Sequence, residues 1–145
     1  MARTRMPLTW PTSRRAGEGM SVVLITSFGF LHGEPPAAHL TIDLREHFRD
    51  PHVSPELRYM TALDAPVRTA VRATPGIAAL VAVVAAAVDA FAAGPSAVPI
   101  TVADGCAGGR HRAPSFAMDL ADLLTFAGHT VTVHHRDLDK AVVHR

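Results

Sequence analysis

Apolar positions in this chain switch between two periods, and the switches mark the elements. Ser21-Val22-Val23-Leu24-Ile25-Thr26-Ser27-Phe28 is apolar almost throughout, which predicts a central strand. A turn-rich stretch, Gly29 to Pro36, separates it from His39-Leu40-Thr41-Ile42-Asp43-Leu44-Arg45, a second strand ending in a charged pair. Residues 46–60 are polar, carry Pro51 and Pro55, and are long for a simple connection. Ala65–Arg72 predicts a short helix, with Asp64 as its cap and Pro66 in its first turn. Thr74 and Pro75 then cap and start a helix over 77–93, where Ile77, Leu80, Val81, Val84, Val88 and Phe91 recur at helical spacing. Gly94-Pro95 stops it. Ala97 to Ala103 predicts a third strand, Asp104 to Arg112 a glycine-rich turn, and Pro114 to Ala127 a helix stopped by Gly128. His129 to His135 alternates, as a partly exposed last strand would. This order predicts one α/β domain with a mostly parallel or mixed sheet flanked by helices. The loops that follow parallel strands gather at one edge, where ligands bind. The turn after residue 28, the pair Asp43/Arg45, the turn 105–112 and Arg136 would converge there.

Residues 1–20 show no period and predict a disordered basic leader ahead of a domain over 21–145. Met20, just before the first strand, is an alternative start. The net charge is +1, but the leader carries a formal +3 and the rest a formal −2, so nucleic-acid binding would need a local patch. The alanine-rich run near 77–93 is interrupted by Asp89 and makes a poor membrane span, and no secretory signal precedes the first strand. A single cysteine leaves no internal disulfide and fits a cytoplasmic location. The helix over 77–93 has more apolar surface than one sheet can cover, which predicts a homodimer.

The chemistry concentrates in Asp104-Gly105-Cys106-Ala107-Gly108-Gly109-Arg110-His111-Arg112. A glycine-rich turn before a helix offers unpaired N–H groups to an anion, and two arginines and a histidine crowd this one. The alternative is a tight turn whose basic residues face water. The turn lacks the spacing and the lysine of a P-loop, so nucleotide hydrolysis is not expected. Cys106 and Arg112 have the cysteine-phosphatase spacing, but Gly105 and Ala113 replace the usual flanking residues. A buried packing role suits Cys106 better. His32 and His111 are general acid–base candidates without a credible nucleophile, and adjacent His134 and His135 point opposite ways on a strand. No catalytic residue, metal site or cofactor is assigned.

Ser27-Phe28-Gly29-Phe30, His32-Gly33, Asp43-Leu44-Arg45, Asp50-Pro51-His52, Pro55 to Asp64, Gly105 to Arg112 and Val133 to Lys140 together resemble the C-terminal domain of the RapZ family of RNase adapters. The resemblance covers roughly residues 21–140, without the N-terminal P-loop domain those proteins carry. It implies a regulatory domain that binds structured RNA, a phosphorylated sugar such as an aminosugar phosphate, or both. It also implies a separate P-loop or ribonuclease partner. Matched site positions are His32, Asp43, Arg45, Arg58, Gly108, Gly109, His111 and Arg112, and Arg110 and Arg136 add local positive charge. Leu31, Ala107 and Ala113 stand where relatives have lysine, threonine and serine. The alternatives are a small phosphate-processing enzyme using Cys106 and Arg112, and a non-catalytic protein-interaction module.

Overall fold

The computed structural model describes residues 19–144, so nearly all of the expected leader lies outside the described residues. Four strands, β1 (Val22–Gly29), β2 (Leu40–Asp43), β3 (Ile100–Cys106) and β4 (Thr130–His135), form one sheet in the order β2-β3-β1-β4. Every neighbouring pair is parallel. The apolar β1 is internal, and the alternating β4 is an edge strand, as their patterns predict.

The register aligns side chains in rows. Val23 stands between Ile100 and Val131, and Ile25 between Val102 and Val133. These rows face a layer made by α1 (Ala65–Arg72), α2 (Ile77–Ala92) and α3 (Arg112–Phe126), which contribute Val67, Val71, Ile77, Val81, Val84, Val88, Phe116, Leu120 and Leu124 to one core. Phe116 is fully buried; cutting it to alanine is expected to cost about 3–5 kcal/mol. The alternate positions Val22, Leu24, Thr130, Thr132 and His134 are exposed, so the helices lie on one face of the sheet.

Several boundaries differ from expectation. β3 runs on through Cys106 and α3 begins at Arg112, so the basic turn shrinks to Ala107–His111. Pro114 falls at the third helical position, where its missing N–H has no intrahelical partner to lose. β2 ends at Asp43, which leaves Arg45 beyond the strand. Thr74 does not cap α2: its hydroxyl donates to the Ala70 carbonyl at 2.9 Å, and Gly76, at φ 91°, occupies the cap position. Asp64 precedes α1 but turns its carboxylate back to accept from Thr61 N at 3.0 Å. Phe91 leaves the predicted core stripe for the surface beside His39.

Candidate functional site

The parallel sheet brings the ends of all four strands to one edge, and there the backbone is packed unusually close. A Cβ on Gly29 would lie 2.5 Å from the Gly108 carbonyl carbon, and one on Gly109 would lie 2.8 Å from Gly29 N. Gly109 also has φ 75°, which a side chain rarely adopts. Glycine at both positions lets the turn after β1 lie directly on the turn after β3. Leu31 N then donates to the Ala107 carbonyl at 3.0 Å.

The basic residues predicted for the site reach this edge, but most point their guanidinium groups inward onto carbonyls. Arg112 is buried; its Nη1 donates to the carbonyls of Leu44 and Arg45 at 2.9 Å each and of Phe48 at 3.0 Å, and its Nη2 pairs with Asp50 Oδ2 at 3.2 Å. It holds the loop after β2 against α3. Arg110 donates from Nη1 to Lys140 O at 2.9 Å and from Nη2 to Tyr59 O at 2.8 Å. His111 is buried with Nε2 2.9 Å from Met60 O. A carbonyl only accepts, so Nε2 carries the proton, and burial lowers the ring's pKa and favours its neutral form. Arg58 Nε donates to His52 O at 2.9 Å. Arg45 stays at the surface, paired with Asp43 at 2.7 Å and lying 3.6 Å from the Phe30 ring centroid.

Arg136 belongs to a buried network centred on Asp137. Asp137 Oδ2 accepts from Gly29 N at 2.7 Å and from Arg136 Nε at 3.0 Å, while Oδ1 pairs with Lys140 Nζ at 2.6 Å. Burial pushes this carboxyl up, but the bonds from Arg136, Gly29 and Lys140 outweigh burial and hold it at about 2. Arg136 Nη1 also donates to Glu34 O, which ties the loop after β1 to the end of β4. The motif Arg136-Asp137 with lysine three residues on was the sequence signal for this network, but only Arg136 was singled out from it.

A second polar group is given no role by the sequence, although Asp104 heads the glycine-rich stretch. Across the sheet, Ile42, Asp104, Ser27 and His135 form one row on the helix side. Ser27 Oγ and His135 Nδ1 are 2.7 Å apart. Asp104 is fully buried, and neither carboxylate oxygen has a hydrogen-bond partner among the described residues. Burial raises its pKa well above the carboxylate range. The signal was an acidic residue inside the apolar run of β3.

Cys106 is buried, and its Sγ accepts from Gly109 N at 3.3 Å and Ala113 N at 3.4 Å. Burial pushes the thiol up despite these bonds and the Arg112 charge. With Arg112 turned to the loop after β2, the cysteine-phosphatase alternative has neither a poised thiolate nor a free arginine. Among the described residues, no group of three or more His, Cys, Asp or Glu side chains is placed to hold a metal ion.

Several buried polar atoms around this edge have no partner among the described residues: His32 Nε2, Arg110 Nε, Arg112 Nε and Ser115 Oγ. Arg112 and Ser115 lie in the first turn of α3, which has no side-chain cap. A cavity of about 10 Å³ is lined by Cys106, Gly108, Arg110, His111, Asp50, His52, Val142 and Val143.

Comparison with known proteins agrees with this architecture. Residues 21–139 match the model of the RapZ C-terminal domain. A nucleotide-binding protein of Alkalilimnicola ehrlichii is 37% identical over 126 residues, covering 84% of this chain and 43% of that protein. A nucleotide-binding protein of Thermus thermophilus is 40% identical over 126 residues, covering 85% of this chain and 45% of its own length. One of Rhodospirillum rubrum is 38% identical over 120 residues, covering 80% of this chain and 37% of its own length. The chain thus spans less than half the length of these relatives.

Proposed function

Since this chain belongs to the RapZ C-terminal domain family, we propose that it is a regulatory domain binding phosphate groups at the turn before α3. The observation that carries this reading is three buried polar atoms without partners among the described residues, Arg110 Nε, Arg112 Nε and Ser115 Oγ, in the turn before α3 and in its first turn. A buried donor left unpaired costs about 1–3 kcal/mol. An anion seated there would satisfy several at once, assisted by the helix dipole.

The ligand we assign is a small phosphorylated metabolite, with an aminosugar phosphate as the first candidate, and RNA as a second phosphate-bearing ligand of the same edge. Ala107 and Ala113 lack hydroxyls, so backbone N–H groups would carry more of the contact. RNA binding would use backbone phosphates, with the exposed Tyr59 available to stack on a base. A separate P-loop protein or ribonuclease completes the adapter role. Among the described residues, no single helix is long and apolar enough to cross a membrane.

Calorimetry with inorganic phosphate, an aminosugar phosphate and a nucleoside monophosphate tests the site. The variants are Arg110→Gln and His32→Ala, which remove partly exposed residues, with melting curves to check folding. Loss of a charge-assisted contact is worth about 1.5–3 kcal/mol, so affinity for at least one ligand should fall roughly ten- to over a hundredfold in Arg110→Gln. Unchanged affinity for every ligand removes the turn from the site. RNA affinity should fall with rising salt, by about 0.7 logarithmic units per single-strand phosphate neutralised.

Self-association is a second element of the reading. Leu123 and Phe126 are exposed on α3, with Phe126 92% exposed. It stands beside a groove of about 210 Å³ lined by Ala82, Ala85, Ala86 and Leu123. A two-fold homodimer would cover this surface. Sedimentation of the wild type against Phe126→Ser tests it: the dimer predicts a shift toward monomer in the variant, and a wild-type monomer at tens of micromolar sinks the idea.

A further inference from the structure

From the path of the chain after β4, we infer that residues 141–144 form a strap that closes the anion pocket and is released when a ligand takes Arg110. This rests on the anion reading above. Past Asp137 the chain turns, with Lys140 N donating to Asp137 O at 3.2 Å, and doubles back over the basic turn. The turn is pinned twice: Lys140 Nζ pairs with Asp137 Oδ1 at 2.6 Å, and the Lys140 carbonyl accepts from Arg110 Nη1 at 2.9 Å. The next residues bring Val142 and Val143 to the wall of the small cavity that Gly108, Arg110 and His111 also line.

The space left between these residues and the turn is about 10 Å³, room for roughly one water molecule. A tetrahedral phosphate with its four oxygens does not fit beneath the valines. Displacing Val142 and Val143 opens the turn while the sheet and α3 stay in place.

Arg110 couples the two events. Its Nη1 holds the neutral Lys140 carbonyl, whereas an anion would form a stronger bond with the same donor, because both partners would then be charged. Ligand and strap therefore compete for one guanidinium. A ligand that wins Arg110 frees the segment beyond Lys140, and the strap lowers apparent affinity by the fraction of time it is shut.

Cys106 reports the opening independently of any anion, because it is buried, lines the same cavity and is the only cysteine in the chain. The experiment compares the full chain, a chain ending at Lys140, and full-length Val142→Gly with Val143→Gly. Iodoacetamide labelling of Cys106 is read by mass spectrometry and inorganic phosphate binding by calorimetry, with melting curves to check each fold. Both altered chains should label at least about tenfold faster and bind phosphate at least about tenfold tighter, as expected of a strap open a tenth of the time or less. Unchanged labelling with unchanged phosphate affinity rejects the strap and leaves the anion site standing. Weaker phosphate binding on truncation also rejects it, making the tail part of the binding wall. Faster labelling with no phosphate bound by any chain rejects the anion reading and, with it, the gating role.

Discussion

Asp104 and Asp137 are both fully buried near the same edge of the sheet, and their surroundings are opposite. Asp137 lies just past β4, with a backbone N–H, both ends of the Arg136 fork and the Lys140 ammonium around it. Asp104 lies inside β3, between Ile42 and Ser27 in the register, with no donor among the described residues on either oxygen. Equal burial thus gives one carboxyl held at about 2 and another pushed well above the usual range. What decides is the supply of donors, and donors collect where loops turn, not within a strand whose own N–H groups serve the ladder.

The largest effect should come from breaking the satisfied site. Asp137→Ala strands Arg136 and Lys140 and leaves Gly29 N unpaired, which by analogy with other broken buried ion pairs should cost about 3–5 kcal/mol in urea unfolding. A loss below about 1 kcal/mol would show that water replaces these bonds freely. The pH dependence has a definite sign. Asp137 has a lowered folded pKa, so its contribution is present above the unfolded value of about 3.9 and is lost as pH falls through about 2. Acid unfolding followed by circular dichroism should lose that component in Asp137→Asn.

Asp104 should respond the other way. Its folded pKa is raised, so the stability tied to its proton is present below about 3.9 and is lost as pH rises toward the folded value. Replacing it with an apolar residue of strand-compatible shape removes that loss. Asp104→Val should stabilise the protein by about 1–3 kcal/mol near neutral pH, and by less at pH about 4. Urea midpoints at the two pH values check this. A destabilised variant at neutral pH would mean that the carboxyl serves a partner or a ligand.

The elements themselves were legible because their signals are local. β1, β2, α1, α2, β3, α3 and β4 appear in the predicted order, since period and turn chemistry are written within each segment. The family resemblance was legible too, because ordered motifs survive along most of the domain. What the residues near the site do was less so. Arg112 reads as a phosphate ligand in sequence, yet three carbonyls 64 to 68 residues away claim its Nη1. Thr74 reads as a cap, but a carbonyl one turn back takes its hydroxyl. Asp137 and Asp104 differ only in what the fold brings to them, and the tail over Arg110 leaves no periodic trace in sequence.

The smallest stability effect should come from a third aspartate, which sharpens the contrast. Asp43 has its own arginine: Arg45 Nη2 lies 2.7 Å from Oδ2, and Arg45 N donates to Oδ1 at 2.9 Å. The Arg45 side-chain bond lowers the Asp43 pKa against a smaller effect of burial. The two side chains are 46% and 44% exposed, so water screens the pair and competes for both partners. Asp43→Asn should therefore leave the urea midpoint unchanged within error, although its ion pair is shorter than the one between Arg136 and Asp137. Its effect should fall on ligands instead. Losing the carboxylate removes negative charge from the edge and releases Arg45, so inorganic phosphate should bind slightly tighter at low salt, with the gain fading as salt rises. A sugar phosphate should weaken if Asp43 accepts from its hydroxyl or amino groups. Calorimetry with both ligands separates the roles: equal shifts make Asp43 a charge-setting residue only, while opposite shifts assign it to recognition of the sugar. A large fall in the urea midpoint would break the comparison, because an exposed pair would then matter as much as the buried network around Asp137.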